Sequence, residues 1–205
     1  MRYVILITAL FFGTSAQAYN PVTAEPVEAY SVIQIEGDPY IERTYLGDLE
    51  DAPDLYEFKT DVAISVRIQV KQRAYKKAVP YGLIMVRQNE ADGGVEEIVR
   101  QNEPLESWNK DRSHTLGMSF LTAPALHVDI KPGTYRIDVS TPDNKGTYAL
   151  TVREESSWAG PVKSFWHVFK TQYHFGFTPL HALFSVYVYC ALAILGIGYS
   201  YYRLR

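Results

Sequence analysis

The sequence predicts an all-β protein: an antiparallel β-sandwich, followed by an amphipathic helix and one C-terminal transmembrane helix. Three observations predict it. Apolar and polar residues alternate through the middle of the chain, Gly, Pro and Asp clusters punctuate those runs, and residues 180–199 contain no charged side chain. The length of 205 residues fits one medium domain plus targeting and anchoring segments. A composition of 47% hydrophobic residues with 16 Tyr and 9 Phe suits sheets.

Residues 1–18 read as a signal peptide, with Arg2 as the charged start, an apolar run over 3–12, and Ala16-Gln17-Ala18 as the small-x-small cleavage site. Residues 19–30 read as a linker, and residues 31–155 as the sandwich. The clearest strand is 62–70, where Val62, Ile64, Val66, Ile68 and Val70 share one face and Ala63, Ser65, Arg67 and Gln69 the other. The same period recurs at Leu126, Val128 and Ile130, at Tyr135, Ile137 and Val139, and at Tyr148, Leu150 and Val152. Further strands are expected over 31–35, 44–49, 55–59, 81–88 and 95–101, eight or nine in all. Turns fall at Gly37-Asp38-Pro39, Asp51-Ala52-Pro53, Asp92-Gly93-Gly94, Lys131-Pro132-Gly133 and Asp143-Asn144-Lys145-Gly146. Residues 105–112 read as a short helix or a loop with Trp108 tucked in. One-sided strands of this kind belong to antiparallel sheets.

Residues 156–178 form the juxtamembrane segment. Val162, Phe165, Trp166, Phe169 and Tyr173 fall at offsets 0, 3, 4, 7 and 11, one face of a helix, and Pro161 suits its first turn. Lys163, Ser164, Lys170 and Thr171 fall on the other side, so the aromatic face is expected to lie on an anionic membrane surface. Residues 179–201 are expected to span the bilayer and 202–205 to form a cytoplasmic tail. Arg203 and Arg205 then lie inside and the sandwich outside, by the positive-inside bias. The membrane-interface residues are thus Val162, Phe165, Trp166, Phe169, Tyr173, Arg203 and Arg205.

All 23 acidic residues lie between Glu25 and Glu155, against 15 of the 20 Lys and Arg, a net charge of −8 over that stretch. Such a surface excludes nucleic acid as a partner, since phosphate binding requires a clustered positive field. Lys71, Arg73, Lys76 and Lys77 read as a solvated loop. The single cysteine, Cys190, lies in the apolar C-terminal stretch, so the sandwich has no disulfide. No Asn-x-Ser/Thr sequence occurs, which together with the short signal peptide points to a bacterial envelope protein.

Asp54-Leu55-Tyr56-Glu57-Phe58, the alternating strand 62–70, Tyr81-Gly82-Leu83-Ile84-Met85-Val86, Pro132-Gly133-Thr134-Tyr135-Arg136-Ile137-Asp138-Val139 and Gly146-Thr147-Tyr148-Ala149-Leu150-Thr151-Val152 belong to one pattern. Over roughly half of the chain, these segments resemble the bacterial pre-peptidase C-terminal domain. The resemblance implies a jelly-roll-like sandwich in which a Tyr-x-Phe strand opens the set and a Gly-Thr-Tyr strand pairs with a Gly-x-Tyr-x-Leu-x-Val strand at its end. It also implies a binding or targeting module rather than a catalyst. The chain departs from the family in having no peptidase segment before the sandwich and an apolar helix after it.

Gly-x-Ser-x-Gly, His-Glu-x-x-His, the P-loop and Gly-x-Gly-x-x-Gly are all absent, so no motif names an enzyme and no cofactor is implied. A hydrolase would need a Ser-His-Asp site assembled from distant residues such as His114 or His127. Asp48, Glu50, Asp51 and Asp54 offer oxygen ligands for calcium but lack EF-hand spacing, and His167 and His174 stand too far apart on one helix to share a metal. The expectation is a non-catalytic binding module on a membrane anchor, its partners membrane lipid and either a cell-envelope polymer or an integral-membrane protein. The alternative is an accessory subunit of a membrane complex, docking through its two C-terminal helices.

Overall fold

The computed structural model describes residues 21–24, 26, 28–35, 43–74, 77–89, 93–152 and 161–203. The expected signal peptide and Arg205 lie outside the described residues. The chain divides into a sandwich unit, residues 21–111 and 119–156, and a helical unit that includes residues 112–118 and 157–205.

Twelve strands are present among the described residues: β1 Pro21–Thr23, β2 Val32–Gln34, β3 Arg43–Glu50, β4 Asp54–Thr60, β5 Ile64–Arg73, β6 Gly82–Gln88, β7 Val95–Gln101, β8 Asn109–Ser113, β9 Met118–Thr122, β10 Leu126–Ile130, β11 Gly133–Ser140 and β12 Lys145–Val152. They form two sheets. One runs β1-β3-β12-β5-β9-β8, with β10 also paired to β5, and the other runs β2-β4-β11-β6-β7. The inward residues of both sheets make one core, including Tyr45, Val66, Ile68, Val70, Tyr148 and Leu150 from the first and Tyr56, Phe58, Leu83, Met85, Ile137 and Val139 from the second. Period-two alternation puts them there, because successive side chains on a strand point to opposite faces.

The structure departs from the sequence reading at several places, each for a local reason. Strand β5 begins at Ile64, since Asp61 and Val62 form a bend in which the Thr60 hydroxyl donates to the Val62 carbonyl at 2.8 Å. Val62 is consequently 44% exposed rather than inward. Residues 105–112 begin with a short 3₁₀ helix at Leu105–Ser107 and Trp108 is buried, both as expected, but Asn109 onward forms strand β8. Besides β8, two further strands, β1 and β9, lie where none was expected. The sheets are not wholly antiparallel either, because β1 pairs with β3 and β2 with β4 in parallel. The Gly-Thr-Tyr strand β11 does not pair with β12. It lies between β4 and β6, while β12 lies between β3 and β5, so the turn at 141–144 carries the chain from one sheet to the other.

In the helical unit, α1 spans Pro161–His174, a 3₁₀ turn spans Pro179–Phe184, and α2 spans Val186–Arg203. Gly176 ends α1 in a left-handed conformation (φ 72°). Its N–H donates to Tyr173 and that of Phe177 to Gln172, both at 2.9 Å, so the last carbonyls of the helix are satisfied. The expected transmembrane helix over 179–201 is corrected here. Pro179 opens a separate 3₁₀ turn, so the α-helix starts only at Val186, and its 18 residues give a length of about 27 Å. Tyr187, Tyr189, Tyr199, Tyr201 and Tyr202 dilute its hydropathy, and among the described residues no helix is long and apolar enough to cross a membrane.

Gly47 on β3 faces Tyr148 on β12 in register, and a Cβ there would collide with the hydroxyl end of the Tyr148 ring. Gly47→Ala therefore forces that ring out of the core. It is expected to lower unfolding stability by about 1–3 kcal/mol, read as a fall in the urea midpoint of the full chain. An unchanged midpoint would show that the ring has room to move.

Candidate binding cleft

Two polar features stand out in the sandwich unit, one buried and one open. The buried feature links the sheets. Tyr148 on β12 donates its hydroxyl to Asp54 Oδ2 on β4 at 2.5 Å, and the Tyr56 and Tyr148 hydroxyls lie 2.7 Å apart. Tyr45 and Tyr81 pack their rings 5.4 Å from Tyr56 and Tyr148 respectively, and Trp108 lies 6.3 Å beyond Tyr81. Burial pushes the Asp54 carboxyl above its ordinary range; the Tyr148 hydrogen bond opposes that rise, and the charges of Asp48 and Glu50 add to it. Burial likewise pushes Tyr148 and Tyr56 upward, so both hydroxyls stay protonated.

The acidic turn read as a calcium candidate does not converge. Asp48 accepts from the Thr147 hydroxyl at 3.0 Å, Asp51 pairs with Lys145 at 3.0 Å, and Asp54 turns inward to Tyr148. No group of three or more His, Cys, Asp and Glu side chains is placed to hold a metal among the described residues. His127 stands on β10 opposite Arg67, while His114, His167, His174 and His181 belong to the helical unit.

The open feature is a cleft of about 740 Å³ at one end of the five-stranded sheet. Sheet register assembles it: Gly133 on β11 lies opposite Thr60 on β4, and Gln88 on β6 lies opposite both Thr134 on β11 and Val95 on β7. The end of β4 brings Lys59 and Asp61, β6 brings Arg87 and Asn89, and β7 brings Glu96. Arg87 is held in place by a hydrogen bond of 2.9 Å from its Nη2 to the Pro132 carbonyl. Gln88 is held by Glu57, which accepts from it at 2.7 Å and from Gln34 at 3.0 Å. The result is an open polar recess with both charge signs and two side-chain amides on its walls. Sequence reasoning placed the turns that frame it, at Gly93-Gly94 and Pro132-Gly133, but not the cleft itself, since residues from four strands meet only through register.

Among the expected interface residues, Phe165, Trp166 and Tyr173 are exposed, with Trp166 at 63% and Tyr173 at 69%, and Arg203 is exposed at the end of α2. Their stacking is regular: the Trp166 and Phe169 rings lie 5.4 Å apart, and Phe169 and Tyr173 lie 6.5 Å apart.

No family model matches the chain, and no curated protein matches it. Among solved structures it is similar to the pre-peptidase C-terminal domain of a collagenase from Bacillus anthracis, at 21% identity and a TM-score of 0.39, covering 63% of this chain and 98% of that one. This is the family that the motifs in residues 54–152 resemble. The chain is also similar to a periplasmic inhibitor of g-type lysozyme from Aeromonas hydrophila, at 10% identity, with a TM-score of 0.39 and coverage of 66% and 98%. A third likeness is to the Yersinia pseudotuberculosis-derived mitogen, at 11% identity, with a TM-score of 0.37 and coverage of 58% and 91%.

The raised Asp54 carboxyl has a definite sign in stability. Between the ordinary value of about 3.9 and the raised one, the folded chain holds a proton there that the unfolded chain has released. The Asp54 share of stability is therefore fully present below the ordinary value and is lost as pH rises through the raised one. Asp54→Asn keeps an acceptor for Tyr148 and removes the charge, so this variant should gain on the parent chain as the pH of urea denaturation goes from about 4 to about 7. A difference between the two that does not vary with pH would contradict the burial argument.

Proposed function

We propose that this protein is a non-catalytic binding module, held at the extracytoplasmic face of a cell membrane by its helical unit. The cleft at the end of the five-stranded sheet carries this reading, because its walls suit recognition. Lys59 and Arg87 answer carboxylates, Asp61 and Glu96 answer amines, and Gln88 and Asn89 serve hydroxyl and amide groups. Ligands with carboxylates, amines and sugar hydroxyls together fit it best, which is the chemistry of a peptide-bearing cell-envelope polymer. Arg87 is the anchor of the site, since its fixed fork suits a carboxylate.

The membrane address is supported by α2. None of its side chains with a described environment is buried, and Leu192, Ile194, Leu195 and Tyr199 are all exposed. An apolar helix that exposes this many of its described side chains calls for a lipid or protein environment.

Two measurements test the reading. The detergent-solubilised full chain should co-sediment with purified peptidoglycan and not with a neutral glucan, and Arg87→Ala should cost a charge-assisted hydrogen bond of about 1.5–3 kcal/mol, a rise in Kd of roughly tenfold or more. Equal retention of chain and variant would remove the cleft from the reading. In fractionated cells, the chain should sediment with the membranes, and its recovery in the soluble fraction would remove the address.

A further inference from the structure

The helical unit buries the polar side of α1 and leaves the aromatic side out. Ser164, Thr171 and Gln172 are buried together with Val168 and Phe175, and the Gln172 amide donates to the Leu116 carbonyl at 2.6 Å. Thr171 turns its hydroxyl back to the His167 carbonyl at 2.8 Å. A water-facing helix would do the reverse. Phe165, Trp166 and Tyr173 therefore project outward, with Phe169 stacked between the last two.

Charge decides what covers this face. Lys163 and Lys170 are seven residues apart, so two helical turns place them in line along one border of the aromatic stripe. Neither residues 112–118 nor residues 161–203 contain an Asp or Glu, so the helical unit carries cations only. A stacked aromatic stripe edged by lysines in a field of one sign matches the boundary between acyl chains and anionic headgroups.

We infer that the Phe165–Trp166–Phe169–Tyr173 face of α1 docks on anionic lipid, with Lys163 and Lys170 on the headgroup phosphates. The inference rests on the membrane address proposed above and adds to it: α2 supplies attachment, and α1 supplies a preference for negatively charged lipid. The helix lies flat, since lysines along one border and aromatics along the stripe can meet the headgroup layer together only in that orientation.

The test uses the full-length chain in vesicles of phosphatidylcholine, with or without phosphatidylglycerol. Subtracting the emission of the Trp166→Phe variant isolates Trp166. With phosphatidylglycerol, Trp166 should shift to the blue, be quenched by lipid brominated near the headgroup, and be shielded from iodide. The double variant Lys163→Gln, Lys170→Gln should lose that shift and shielding while still floating with the vesicles. Docking on lipid is overturned if Trp166 is equally open to iodide in both vesicle types, if the lysine variant behaves as the parent, or if Trp166 is shielded without quenching by brominated lipid, which means protein covers it. Each of those outcomes leaves the membrane address standing. A chain that floats with neither vesicle overturns both.

Discussion

The fold hangs on a hydrogen-bonded clamp between its two sheets. Tyr56 and Asp54 belong to β4 in one sheet and Tyr148 to β12 in the other, so the hydroxyl chain fixes the offset between sheets as well as their separation. Dispersion and burial alone tolerate sliding, whereas a bond of 2.5 Å between buried groups does not. Several neighbours are shaped around the clamp. Gly47 leaves space for the Tyr148 ring, Tyr81 packs on that ring, and Tyr45 packs on Tyr56. A sandwich without disulfides depends on such anchors for a single packing arrangement, because apolar strands of similar size are otherwise interchangeable.

Strand β5 poses the second constraint. One edge meets β12, and the other is shared by β10 over Ile64 to Ile68 and by β9 over Lys71 to Arg73. Between β9 and β10 the Ala123 N–H still donates to the Val70 carbonyl of β5 at 3.0 Å, and the ladder is interrupted at Pro124, which has no N–H to give. Side chains repair the gap: the Gln69 amide donates to the Ala123 carbonyl at 3.0 Å and the Gln101 amide to the Pro124 carbonyl at 2.9 Å. Both glutamines are buried, and their polarity there serves the backbone.

The sequence made the sandwich legible wherever apolar and polar residues alternate along a strand, as in β5, β11 and β12, although in β12 both faces are buried from Tyr148 to Val152. Strands with other patterns escaped. β1 has three residues, too few for a period to register, and in Met118-Ser119-Phe120-Leu121-Thr122 an apolar Leu121 followed by a buried polar Thr122 breaks the alternation. Register and sheet membership were not legible, because the alternation of β11 fits a partner in either sheet. That is why the Gly-Thr-Tyr and Gly-x-Tyr strands were expected together and lie apart. The cleft escaped for the same reason. The apolar C-terminal run was plain in composition, but its hydropathy did not reveal where Pro179 would divide it. For α1 the period located the aromatic face, while the choice of side to bury was set by Gln172 finding a carbonyl at Leu116, more than fifty residues away.

The order of strands within the sheets governs when the chain can fold. The last two strands, β11 and β12, are interior members of the two sheets, each flanked by strands made long before. Until Ser140 is available β4 is separated from β6, and until Val152 is available β3 is separated from β5, so neither sheet can close early. Folding therefore waits for the whole domain, with the slow kinetics that distant pairings impose. A nascent chain that stays open for so long remains threadable through a narrow pore and exposed to proteases and chaperones in the meantime. In this topology, the timing of collapse is written into the position of two strands.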